Sequence, residues 1–479
     1  MTHALVRTAV VLTFAAMAWF AVGSDQPVST DRGERIATAK VVGSNSCAAA
    51  SCHGGDGRKG AVGSEHTTWA DYDPHHNAYR VLFQERSVRM VKLLAADSDA
   101  EPVAAHRNRQ CLACHGVAPP NAAPVPPESE AHRTGVSCEN CHGAAEKWLT
   151  VHYQRGWAAL DPERKAADYG LLQTKNLAYR TQLCGGCHIG EPGREVDHRL
   201  IAAGHPALRF EFAAYQAEPL YTKHWREKGY GPDVEAWTWV IGQVGAARSA
   251  AELLRHRADE TGRDWPELAE YTCFSCHQDL APNARSAARA APPRPGRLPW
   301  GSWHYPLVLD LARSDGVQWA GSRGSTDGLQ RLADLFRQSD RPRPTEARAA
   351  ATAAVADLDR WLADLQARAG QRVPLRATEL RAALAHTARF AADVPETGAA
   401  STDWDRSTQG YLAVAALYRA LVAVDPRARS ARTEETLKAL AAGLRFPPGR
   451  DGPARWTPNQ ERDYRSQWKE LRTRLTSAE

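Results

Sequence analysis

Residues 345–370, TEARAAATAAVADLDRWLADLQARAG, place Val355, Leu358, Leu362 and Leu365 at helical spacing, an apolar stripe on one face. Thr345, after Pro344, is the predicted N-cap and Gly370 the predicted stop. Tyr411 to Val424 repeats the pattern and ends at Asp425-Pro426, Thr433 to Leu444 follows, and a Trp/Arg/Glu-rich tail after Pro458 adds another. These segments predict a small antiparallel helical bundle over residues 326–479. Residues 43–304 show no sustained period and predict loops and short helices. One stretch there, GAAEKWLTVHY at 143–153, lacks proline and reads as a single helix. Near the start, an apolar run from Thr8 to Val22 follows Arg7, too short for a comfortable membrane span of about 20 residues. It predicts a signal peptide over residues 1–23, with an uncleaved N-terminal anchor as the alternative, and an exported, periplasmic body. Residues 24–42 and 305–325 then read as linkers, the second following the Pro/Arg/Ala-rich loop Pro282 to Pro299.

Cysteine changes this picture. The chain has ten, and all fall into five pairs closed by histidine: Cys47-Cys52-His53, Cys111-Cys114-His115, Cys138-Cys141-His142, Cys184-Cys187-His188 and Cys273-Cys276-His277. Four pairs have two residues between the cysteines and the first has four. Cys-x-x-Cys-His is the attachment signature of c-type haem: two thiols bond the porphyrin and the imidazole binds iron from one face. Disulfides do not require a histidine after every second cysteine. Zinc ribbons use such pairs in sets of two, which leaves one over. The reading is five covalently attached haem c groups in a domain spanning residues 43–304. The irregular pattern of that domain follows, because porphyrin supplies the apolar surface. The fold class is therefore mainly α: a loop-rich multihaem cytochrome c domain with short helices, plus the C-terminal helical bundle.

The formal charge is +5. Each haem brings two propionates and about −1 net by charge counting, so five haems bring the total to about zero. The basic residues offset propionates, and no nucleic-acid partner is implied.

Far-side ligands are normally His or Met, and Met raises the potential. The only methionines are Met1, Met17 and Met90, so at most one haem is His/Met and low potentials follow. Sixteen of 18 histidines lie between His53 and His304. His152 is the clearest distal candidate. On a helix, ten residues span about 15 Å, so His152 cannot reach the iron that His142 holds and serves a neighbouring haem or none. Of His75 and His76 only one can face iron, since adjacent helical residues point about 100° apart. His198, His205 and His304 are further candidates, and His304 would tie the end of the region back over the last haem. His66, His106, His132, His224 and His256 rank lower.

Trp69 with Asp73-Pro74-His75 and Ala78-Tyr79, Cys138-Glu139-Asn140-Cys141-His142-Gly143 with His152 beyond it, and four consecutive motifs form a familiar set. Over roughly residues 43–280 the chain resembles multihaem cytochromes c related to the tetrahaem carrier that accepts electrons from hydroxylamine oxidoreductase. The resemblance implies axial roles for His75, rather than His76, and for His152. It also implies closely stacked pairs of mostly bis-His haems, with one haem that can lack a far ligand. The longer first motif, the fifth motif and the bundle depart from that family. Pentahaem nitrite reductases share the haem count but replace the motif histidine of the catalytic haem with lysine; no motif here ends in lysine.

Three functions remain. The first is an electron carrier between redox protein partners outside the cytoplasm, doing no bond chemistry and so without catalytic residues. The second is a multihaem reductase or oxidase of small nitrogen or sulfur oxyanions, with one open iron. The third is a haem-bearing module whose bundle is the working part. The bundle reads as scaffold, or as a docking surface for a redox partner. Membrane contact would arise only through an uncleaved N-terminus.

Overall fold

A computed structural model of the chain describes residues 39–55, 60–96, 101–217, 230–259, 264–272, 300–313, 324–371, 373–392, 404–448 and 456–476. All of them fall in one unit, Arg35–Glu479. Among them, β pairing is limited to isolated bridges, such as Ala39 with Ala122 and Tyr271 with Trp300. The fold is mainly α, as the pattern predicts. The signal and fifth-motif readings, with His224 and His277, lie outside the described residues.

The first half carries short helices between turns: α1 (Glu65–Tyr72), α2 (Glu85–Leu94), α3 (Arg109–His115), α4 (Cys138–His142), α5 (Pro162–Tyr169), α6 (Leu177–His188), α7 (His198–Ala202) and α8 (Phe212–Ala217). Residues 143–153 are not the single helix their composition suggests. Gly143, at φ 87°, breaks the chain after α4, and the Glu139 carboxylate captures the Ala145 N–H at 2.8 Å. One 3₁₀ turn, Ala145–Lys147, and a run of turns follow.

Then comes α9 (Val234–Arg257), which the sequence pattern did not predict. Trp237, Trp239, Val240, Ile241, Val244, Ala247 and Leu254 are all buried, and they ring the helix instead of forming a stripe. A helix apolar all round has no amphipathic period to read. It packs most extensively on α12 and also against α6 and α14.

The second half holds α10 (Pro306–Arg313), α11 (Asp327–Gln338), α12 (Pro344–Gly370), α13 (Ala377–Ala392), α14 (Trp404–Val424), α15 (Ala431–Leu444) and α16 (Pro458–Thr476). Helix α10 occupies part of the stretch read as linker and buries Leu307, Val308 and Leu311. In α12 the cap is Arg343, not Thr345: Pro344 takes the first helical position, where its fixed φ suits the turn and no N–H is needed. Helix α14 starts seven residues before Tyr411. Its first turns, WDRSTQG, are polar yet buried and partnered: Asp405 with Arg209 and Ser302, Gln409 with Gln243. Polarity hid that start from a search for apolar spacing. Helix α15 is capped by Ser430, which accepts from the Thr433 N–H.

One apolar cluster runs from Leu177 and Phe212 through α9 to Leu358, Leu362, Leu417 and Trp468. Helix α6 reaches into it. At Gly245 of α9 an added Cβ would stand 2.7 Å from Thr181 Cγ2 of α6, so glycine permits that approach. None of the described helices is long and apolar enough to cross a membrane.

Candidate cofactor site

On a helix, residues at i, i+3 and i+4 share a face. That puts both thiols and the imidazole of a Cys-x-x-Cys-His trio on one side. The second motif closes α3, the third is all of α4, and the fourth closes α6. Caps hold these helices in place: Asn108 accepts from the Gln110 N–H, Asn176 accepts from Tyr179, and Ser137 with Asn140 forms a capping box. The first motif, with its longer spacing, follows a 3₁₀ turn at Ser44–Cys47 and runs through turns to His53.

The sequence around the third motif is a hub. Glu139 is fully buried. Its carboxylate accepts from Val42 at 3.0 Å, Gly43 at 2.8 Å and Ala145 at 2.8 Å, binding the first-motif segment to α4. Asn140 donates to Gly116 O, which follows the second motif. An added Cβ at Gly143 would lie 2.4 Å from Gly170 O, so no side chain fits.

A cavity of ≈ 560 Å³ opens between the first, third and fourth motifs. It is lined by Cys47, Cys52, His53, Cys138, Cys141, His142, Cys184 and His188, with Trp69, His75 and His152. No disulfide joins the eight described cysteines.

Imidazoles face one another in pairs. His53 and His152 have ring centroids 6.3 Å apart, with planes 14° from parallel. His115 and His205 stand at 6.3 Å and 79°, and His75 and His188 at 5.9 Å and 73°. Two imidazoles on opposite sides of one metal, each at a metal–nitrogen distance of about 2 Å, set their centroids about 6 Å apart. The Nδ1 atoms are used elsewhere. His115 Nδ1 donates to Ala78 O at 2.9 Å, His152 to Leu149 O at 2.7 Å and His205 to Pro206 O at 2.8 Å. His53 Nδ1 meets the Glu65 carboxylate at 3.0 Å and His75 Nδ1 the Asp73 carboxylate at 3.1 Å. Such bonds fix tautomer and ring direction and leave Nε2 for a metal. The residues present therefore fit haem iron.

Burial favours the neutral form, the one a ligand must take, in three of these rings. It lowers His115 and His205, and it lowers His188 to about 4 with help from His75 and His115. His75 goes the other way: burial works against its charge, but the Asp73 hydrogen bond raises it overall.

The remaining histidines behave differently. His132 uses both ring nitrogens, accepting from the Val117 N–H and donating to Pro126 O. His106 stacks on Phe83 at 4.4 Å. His76 lies edge-on to Trp69 at 4.6 Å, while the Trp69 indole donates to Val136 O. His142 lines the cavity. His198 opens α7 with its N–H on Glu267, and no motif imidazole faces it among the described residues. His304 is buried deep enough to be lowered to about 4, its Nδ1 has no hydrogen bond, and it borders a separate small cavity beside Arg257 and Glu270. Met90 packs with Leu200 and Ala203 in an apolar cluster. Glu65, Asp73 and Glu139 were not found as site residues from sequence. Asp73 sits two residues before His75, but no spacing rule links Glu65 to His53 or Glu139 to residues 42–43.

Neither the curated proteins nor the solved structures gave a match to the chain. Residues 46–143 match the family described as cytochrome c554 and c-prime. That segment, about a fifth of the chain, holds the first three motifs and the Trp69–His75 stretch, and the match supports a c-type cytochrome with covalently bound haem c.

Proposed function

We infer that the protein is a multihaem electron carrier working outside the cytoplasm, with five covalent, mostly bis-His haems. The observation that carries this reading is the set of three facing imidazole pairs, each joining a motif histidine to one outside the motifs. Haem iron supplies a one-electron couple when bound. The chain's own residues anchor, orient and shield. Cys47 and Cys52, Cys111 and Cys114, Cys138 and Cys141, and Cys184 and Cys187 would form the thioethers, and His53, His115, His142 and His188 would take the near faces. His152, His205 and His75 would close the first, second and fourth sites. Cys273, Cys276 and His277 would form the fifth, with His198 or His304 on its far side. Histidine on both sides gives low potentials and closes the iron to substrate. Export rests on the Thr8–Val22 run. Donor and acceptor are redox proteins.

Pyridine haemochrome with intact mass tests the count; five haems are expected. Electron paramagnetic resonance tests ligation. Low-spin signals alone support the carrier, whereas a high-spin signal that moves with nitrite or hydroxylamine turns the reading to a reductase.

A further inference from the structure

The facing pairs differ in what holds their Nδ1 atoms. In the His115–His205 pair both rings lean on neutral backbone carbonyls, Ala78 O and Pro206 O. In the His53–His152 pair one ring has a carboxylate, Glu65, and the other a carbonyl. In the His75–His188 pair His75 has the carboxylate of Asp73. We propose that Glu65 and Asp73 are positioning residues that lower the reduction potentials of the haems at the first and fourth motifs below that at the second. This rests on the haem ligation inferred above.

The argument is electrostatic. Oxidised haem carries one more positive charge than reduced haem. A carboxylate on the far nitrogen of an axial imidazole strengthens its donation to iron and favours the oxidised state. A carbonyl does the same more weakly, because charge-assisted hydrogen bonds are roughly twice as strong as neutral ones. Both carboxylates are held in place. Glu65 Oε2 also accepts from the Gly63 N–H at 3.0 Å, and Asp73 Oδ1 accepts from the His75 N–H at 2.9 Å. The Glu65 and Asp73 side chains are 27% and 20% exposed, so solvent screens both without removing either effect. The ladder that follows does not run in chain order.

The test compares wild type with Glu65→Gln, Asp73→Asn and Glu379→Gln. An amide oxygen still accepts from Nδ1–H, so the first two remove charge and keep the hydrogen bond. Glu379 lies in α13, outside the motif region, and serves as control. Haemochrome content and the low-spin spectrum come first; a wild type without haem, or without bis-His signals, brings down the ligation reading itself. With haem in place, spectroelectrochemical titration should show one component shifting upward in Glu65→Gln, a different one in Asp73→Asn, and none in Glu379→Gln. Glu65→Asp should return the first component toward its wild-type potential. Unchanged titrations in both amide variants, or equal shifts of all components in either, overturn the proposal. If Glu65→Gln loses a haem, Asp73→Asn alone decides.

Discussion

The two halves of the molecule bury different things. From α9 onward, helices bury one another: Leu358, Leu362, Leu365, Leu417 and Trp468 share a continuous apolar cluster. Outside α6, α8 and the adjoining Ile189 and Phe210, the described residues of 39–217 have two small clusters, one of Leu82, Val91, Ala105 and Leu112 and one of Met90, Leu200 and Ala203. Where a core would sit there is a cavity lined by thiols and imidazoles. That half is tied by side chain to backbone bonds instead. Asn121 donates to Gly170 O and accepts from the Ala144 N–H, and Glu139 takes three N–H groups. Such bonds fix geometry, each with a net gain of only about 1 kcal/mol, or somewhat more when charged. One half is therefore self-sufficient in apolar burial, and the other completes its core with a bound group.

The largest expected effect follows from that difference. Chain produced in a host that cannot attach haem should lose hydrogen-exchange protection across residues 39–170, while α9 and α12 stay protected. Exchange read by mass spectrometry on apo and haem-loaded protein measures this. Protection of residues 39–170 without haem would erase the distinction between the halves.

A smaller effect should come from the other side. Leu362 is 2% exposed and lies in the shared cluster, near Gly245 of α9. Leu362→Ala removes buried methyl groups and leaves a cavity, costing about 2–5 kcal/mol. The denaturation midpoint should fall while haem content per folded molecule stays the same. A cost of only a few tenths of a kcal/mol would show that the helical half does not depend on this core.

The difference between the halves also explains what the sequence could reveal. The stripe through Leu358, Leu362 and Leu365 was legible because α12 has a wet face and a dry face. Helix α9 has no wet face over most of its length, so nothing alternates. Around the motifs, covalent chemistry fixes spacing, and the Cys-x-x-Cys-His trios could be read directly. The His152 ring lies 6.3 Å from that of His53 of the first motif, and the chain reaches it by turns and not a helix. Glu139, inside the third motif, looks like any exposed acid in sequence. Its burial depends on backbone N–H groups from residues 42, 43 and 145, which no local pattern encodes.

The smallest effect belongs to the element that joins the halves. Helix α6 buries Leu177 and Thr181 at its start in the helical half and presents Cys184 and His188 at its end to the cavity. Its first turn is capped by Asn176 Oδ1, which accepts from the Tyr179 N–H at 3.0 Å. Asn176→Ala leaves that donor unsatisfied and costs about 1 kcal/mol. Packing of Leu177 holds the axis, so the loss stays local: the Tyr179 amide should exchange faster while Cys184 and Cys187 still attach haem. If haem attachment at the fourth motif fails in this variant, α6 is held by its cap and not by the core beneath it. The helical half would then have no part in positioning the motif.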